Sequence, residues 1–200
     1  MYEWIVKGGV VMIPIILSSV IALAVTIERL INLTMRNIHP TNAIERLKKL
    51  LAEGKYSEAL AICTNSTCPT AKIIEAGIVK RQHERAHIKE AVEHAGSQVS
   101  DTVYRYLSTL STIASVAPLL GLLGTVTGMI RAFEVISLGG IGKPTDLASG
   151  ISEALITTAA GLIVAIPTLV VHNYLYKKAN RLIMEMENTS MEIVDILEKQ

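Results

Sequence analysis

The sequence predicts an all-α membrane protein with three transmembrane helices, the second and third extended into a cytoplasmic helical bundle. Three observations lead there. Of 200 residues, 50% are hydrophobic and only 18% are charged, against about 25% charge in a soluble domain. The charges are segregated: 8–27, 106–130 and 154–176 contain no Asp, Glu, Lys or Arg. Between and beyond those runs, apolar residues keep helical spacing.

Each uncharged run is long enough to span. A hydrocarbon core about 30 Å thick needs roughly 20 helical residues. The first span, 8–31, is strongly apolar through Val10-Val11-Met12-Ile13 and 21–27. A cleaved signal peptide would end at small residues, whereas Glu28-Arg29 follow this run. The second span, 106–136, and the third, 151–176, are rich in Ser, Thr, Gly and Ala, which fits helices facing protein or water more than lipid.

The segment 32–105 reads as cytoplasmic helices. Asn42 and Glu45 have capping-box spacing ahead of Ile44, Leu47, Leu50 and Leu51, and Gly54 fits a helix stop. A second short helix is expected over 56–63, a turn over 64–69, and a third helix over 70–83. From Ala86 to Pro118 no breaker occurs, and Ile88, Val92, Ala95, Val99, Val103, Tyr106 and Leu110 keep helical spacing. The expectation is one helix over 86–136, about 75 Å long. A short periplasmic loop follows over 137–150. Beyond the third span, the amphipathic tail 177–200 carries Leu182, Ile183, Met186, Ile193, Ile196 and Leu197 as a stripe, so it should pack against the extension of the second span.

Basic residues set the expected orientation. Arg36, Arg46, Lys48, Lys49, Arg85, Lys89, Arg105, Lys177, Lys178 and Arg181 flank one side; Lys7, Arg131 and Lys143 flank the other. This puts the N-terminus outside and the C-terminus inside. Tyr2 and Trp4 would lie at the outer interface, and Tyr104, Tyr106, Tyr174 and Tyr176 at the inner one.

The net charge of +1 carries no nucleic-acid signature. No phosphate loop, HExxH or GxSxG motif occurs, so no enzyme is expected. Cys63 and Cys68 read as reduced thiols, and neither a metal nor a cofactor is expected. His83 and His87 read as a solvated face. Arg131 and Glu134, three residues apart, can pair locally.

Glu153 stands at the outer mouth of the third span. An ionisable group there is a functional candidate, although a snorkelling or helix-start carboxylate has the same signature. Thr157 and Thr158 follow one turn on, and Thr125 and Thr127 lie in the second span. Their hydroxyls can relay an ion or bond their own helix backbone. Gly121, Gly124, Gly128 and Gly161 permit close helix approach. Pro118 and Pro167 fall inside the spans as kinks, with or without a hinge role.

Two stretches carry a resemblance. They are Ile113-Ala114-Ser115-Val116-Ala117-Pro118-Leu119-Leu120-Gly121-Leu122-Leu123-Gly124-Thr125-Val126-Thr127-Gly128 and Gly150-Ile151-Ser152-Glu153-Ala154-Leu155-Ile156-Thr157-Thr158-Ala159-Ala160-Gly161, followed by Ala165-Ile166-Pro167. With the first span and parts of the cytoplasmic segment, the chain resembles the MotA/TolQ/ExbB proton-channel family, nearest its ExbB and then its TolQ branch. The resemblance implies a bacterial inner-membrane subunit of a homo-pentamer. It also implies an ExbD- or TolR-like single-span partner, as a dimer in the pore, that carries a membrane aspartate. A TonB- or TolA-like protein would receive the force, energising outer-membrane processes or, in the TolQ branch, outer-membrane integrity. Thr125, Glu153 and Thr158 match the family's pore-lining polar positions. Thr157 stands where relatives often carry Ala and adds a hydroxyl to the expected ion pathway. The translocated ion is expected to be a proton, with sodium as the alternative. A non-conducting scaffold is the competing class of function.

Overall fold

Backbone polar groups have no water to bond inside a bilayer, so a spanning segment must satisfy them within itself, and a helix does this. A computed structural model describes residues 8–34, 38–139 and 144–198, with side chains except those of 135–139 and 144–146. All regular structure among these residues is α-helical. The helices are α1 (Met12–Asn32), α2 (Thr41–Ala52), α3 (Tyr56–Thr64), α4 (Pro69–Val79), α5 (Arg85–Tyr104), α6 (Leu107–Gly139) and α7 (Pro144–Glu198). Three stretches are long and apolar enough to cross a membrane: Met12–Asn32, one within Arg85–Glu134 and one within Leu147–Glu198. Tyr2, Trp4, Lys7, Arg36 and Lys143, used above for orientation, lie outside the described residues.

The chain forms two units. One comprises Met1–Glu28 and Tyr106–Tyr174; the other comprises Arg29–Arg105 and Leu175–Gln200.

The first unit holds most of α1, α6 and the first part of α7. The first helix begins at Met12, after a turn at 8–11, rather than at residue 8. It buries Met12, Ile15 and Ala22 and exposes Ile13, Leu17, Val20 and Leu23. Such an apolar face suits lipid, which offers it the same environment as a core. Helices α6 and α7 run unbroken through Pro118 and Pro167. The expected loop 137–150 is mostly helical: 137–139 belong to α6, and α7 starts at Pro144. Proline at the first helical position has no orphan N–H to satisfy, so Pro144 starts the helix earlier than the apolar pattern alone indicated.

The second unit is a soluble-type helical bundle. Ile44, Leu47 and Leu51 of α2, Ala59 and Cys63 of α3, and Ile73, Ile74 and Ile78 of α4 are buried. They share the core with Ile88, Val92, Val99 and Val103 of α5 and with Leu182, Met186, Ile193 and Leu197 of α7. At Gly77 an added Cβ would stand 3.1 Å from Val92 Cγ2 and 3.3 Å from Leu197 Cδ1, so glycine lets α4 sit close to both partners. The tail of α7 pairs with α5, as its stripe predicts. Arg85 contacts Asp195 at 3.0 Å and also pairs with Glu198, and Tyr104 Oη donates to Asn180 Oδ1 at 2.6 Å. Lys48 of α2 pairs with Glu192. Arg29 is buried and donates to the Thr102 carbonyl at 3.2 Å.

Three local expectations are corrected. The capping box is not used: α2 starts at Thr41 behind Pro40, with no side-chain cap bond. Pro40 fixes the entry two residues earlier than Asn42 would. The helix after the turn ends at Val79 instead of continuing to 83. The single helix over 86–136 is two helices. Arg105 is extended (φ −50, ψ 135) and Tyr106 has φ +64, so α5 stops and α6 starts afresh. The Gly54 stop does form. Gly54 has φ +74, its N–H bonds the Leu51 carbonyl, and Lys55 N–H reaches Leu50, the double bond pattern of a Schellman motif.

Candidate functional site

The site is built on the seam between α6 and α7. Ala117, Gly121, Gly124, Gly128 and Ala132 lie along one face of α6, and Gly150, Ala154, Thr157, Gly161 and Ala165 along one face of α7. Both sets step by four, three, four and four residues. All ten positions are buried. The helices run antiparallel. A Cβ on Gly161 would stand 2.5 Å from the Ala117 carbonyl oxygen, and one on Gly128 2.8 Å from the Gly150 carbonyl oxygen. One on Gly121 would stand 3.1 Å from Thr158 Cα. One on Gly124 would overlap the Thr157 side chain. So the four glycines singled out from sequence all lie in this seam, three on α6 facing α7 and Gly161 on α7 facing α6. Small residues give this close approach, where dispersion and backbone contact replace the hydrophobic drive that lipid removes.

Glu153 lies at the end of this seam and is largely buried, its side chain 15% exposed. Arg131 Nη1 of α6 donates to its Oε1 at 2.6 Å. Sequence spacing pointed Arg131 toward Glu134, on its own helix. The pairing across the seam was not anticipated, although both residues stand at the same end of two antiparallel helices. Gly9, in the turn before α1, is the second unanticipated neighbour. It has φ +66, and an added Cβ would overlap the Glu153 carboxylate and stand 3.3 Å from Arg131 Nη1. Backbone alone fits there.

The hydroxyls divide by position. Thr157 is fully buried against Gly124, and its Oγ1 donates to the carbonyls of Glu153 and Ala154, both at 3.0 Å. The structure therefore places Thr157 in the seam as a packing residue rather than on an open face. Thr158 is half-buried; its Oγ1 lies 3.1 Å from the Ala154 carbonyl and 3.2 Å from the Gly121 carbonyl of the facing helix. Thr125 is half-buried too, and its Oγ1 donates to the Leu122 carbonyl at 2.6 Å. Thr125 and Thr158 thus end on adjacent carbonyls of α6. Ser115, Thr112 and Thr127 bond carbonyls three or four residues back in their own helix, the local alternative for membrane hydroxyls.

Pro118 and Pro167 lack the N–H that would bond the carbonyls of Ala114 and Ile163. Among the described residues no group of three His, Cys, Asp or Glu side chains could hold a metal.

The family model for the MotA/TolQ/ExbB proton channel family matches residues 65–188, more than half of the chain. The chain belongs to that family. It is 38% identical over 181 residues to the putative biopolymer transport protein ExbB-like 1 of Synechocystis, covering 84% of this chain and 68% of the relative. It is 31% identical over 183 residues to ExbB-like 3 of the same organism, covering 89% and 87%. It is 41% identical over 77 residues to the Tol-Pal system protein TolQ of Haemophilus influenzae, covering 38% and 34%. The matched region contains the whole of the α6–α7 seam and Glu153. A multi-pass, all-helical membrane protein of this proton-channel family is the result of the two lines together.

Proposed function

We propose that this chain is one subunit of a bacterial inner-membrane channel in which protons moving down their gradient drive motion of enclosed partner helices. The observation that carries the reading is Glu153. It is a largely buried carboxylate at the end of a glycine-packed helix pair, with the hydroxyls of Thr158 and Thr125 further along that pair. In this reading Glu153 is the ion station at the outer mouth, and Thr125 and Thr158 support transfer beyond it. Thr157 and the glycines hold the geometry.

The proposed assembly is a homo-pentamer around a dimer of an ExbD- or TolR-like single-span protein, with force passed to a TonB- or TolA-like protein. The N-terminus is periplasmic and the C-terminus cytoplasmic in this arrangement. A TonB-like or TolA-like neighbouring gene would choose between the ExbB-like and TolQ-like branches. Family membership supports the channel class, and the distribution of Lys and Arg supports the orientation.

The test is proton uptake into liposomes holding the chain with and without its single-span partner. Uptake that requires the partner is expected. Glu153→Ala should abolish it while the ring still assembles by native mass spectrometry. Full uptake in an assembled Glu153→Ala ring would remove Glu153 from the path. An assembled wild-type complex that conducts nothing would leave the scaffold as the function.

A further inference from the structure

The Glu153 carboxylate is held from two sides. Arg131 donates to Oε1 at 2.6 Å. The Gly9 backbone closes over the same oxygen, leaving no room for a Cβ. One turn on, the Thr157 and Thr158 hydroxyls are bonded to carbonyls of Glu153, Ala154 and Gly121.

We propose that Arg131, 2.6 Å from Glu153 across the α6–α7 seam, is the residue that restricts this station to protons and excludes metal cations. Gly9 positions the pair. The proposal rests on the reading of Glu153 as an ion station.

Proton and metal cation compete with the same guanidinium, but on different terms. A hard metal cation binds by electrostatic attraction to several oxygens. The guanidinium carries a permanent charge and already neutralises the carboxylate where such an ion would enter. A proton instead forms a covalent O–H bond to one carboxylate oxygen and needs no ligand shell. The cycle balances. One proton adds to Glu153, the ion pair opens, and the half-exposed Arg131 side chain turns toward water. One proton then leaves, and the pair closes. No other group changes bonding.

The experiment uses the complex with its single-span partner in liposomes. Proton uptake is measured with either sodium or impermeant choline as the external cation. Wild type should take up protons equally in both. In Arg131→Gln, sodium should slow uptake several-fold relative to choline, because the freed carboxylate now attracts it. Arg131→Lys, which keeps the charge, should restore insensitivity. If Arg131→Gln does not assemble, Gly9→Ala, whose Cβ displaces the carboxylate from Arg131, should show the same sodium sensitivity. Equal uptake in both media by an assembled Arg131→Gln or Gly9→Ala complex would overturn the proposal. So would sodium inhibition of wild type, or loss of all uptake in Arg131→Gln, which would make the arginine part of conduction. A merely structural role would change rates without distinguishing the cations. Uptake by wild type in choline tests the channel reading separately: if it is absent, that reading fails first and this one with it.

Discussion

Gly124 of α6 faces the Thr157 side chain of α7 so closely that any Cβ at position 124 would overlap Thr157 Cβ and Oγ1. The clash is with a side chain, so it can be relieved from the other helix. Gly124→Ala should destabilise the detergent-solubilised protein by about 1–3 kcal/mol, the usual range for overpacking. Adding Thr157→Gly should recover part of that loss. Gly161→Ala meets the Ala117 backbone carbonyl instead, so no side-chain change opposite should rescue it. Thermal denaturation of the two single variants and the double variant checks the contrast.

Tyr106 adopts φ +64 at the start of α6. Left-handed backbone costs about 1–2 kcal/mol for a residue with a Cβ and little for glycine. Tyr106→Gly should therefore be more stable than Tyr106→Ala by about 1 kcal/mol. Both variants lose the same ring, so the difference isolates the backbone. Equal melting temperatures would mean that the break at 105–106 closes in the variants.

Cys63 and Cys68 are free and buried. Cys63 sits in the last turn of α3, and burial, aided by Glu75 and Cys68, pushes its thiol up to about 12. At pH 8 about one in ten thousand would be thiolate, the reactive form. Maleimide should label Cys63 only as fast as the second unit opens. Labelling that matches a free thiol in the folded protein would contradict this burial.

His39 is buried in the second unit, its Nδ1 3.4 Å from Thr70 Oγ1, which itself donates to the Ile38 carbonyl at 2.6 Å. Burial lowers its pKa below 6.5; Glu185 opposes the shift and Lys48 adds to it. The unfolded chain then takes up the proton first. Stability from this residue is fully present above pH 6.5 and declines as pH falls toward the folded value. His39→Asn should flatten the pH dependence of the melting temperature below pH 6.5. An unchanged slope would place the effect elsewhere.

Much of the site was legible from residues alone. Gly121, Gly124, Gly128 and Gly161 announced close packing because small residues have one common use in apolar helices. Glu153 announced itself as a carboxylate beside a long uncharged run. Other features had no local signature. The α5–α6 break was hidden because Val103, Leu107 and Leu110 keep helical spacing across it, with no glycine or proline to mark it. Thr157 and Thr158 are indistinguishable in sequence. Their positions differ by about 100° around the helix, and that turns one into the seam and leaves the other half-open.

The sequence by itself determined that the chain is helical, that three stretches suit a membrane, and which small residues could bring helices together. Period, length and charge are properties of a segment, and they act before any partner is chosen. Only the tertiary structure decided which helix each face meets. It paired Arg131 with Glu153 rather than leaving it to its own helix, and it brought Gly9 onto the same carboxylate from far along the chain. Such contacts depend on how two antiparallel helices align. That alignment is fixed by the matched small-residue steps on both faces, which no single segment contains.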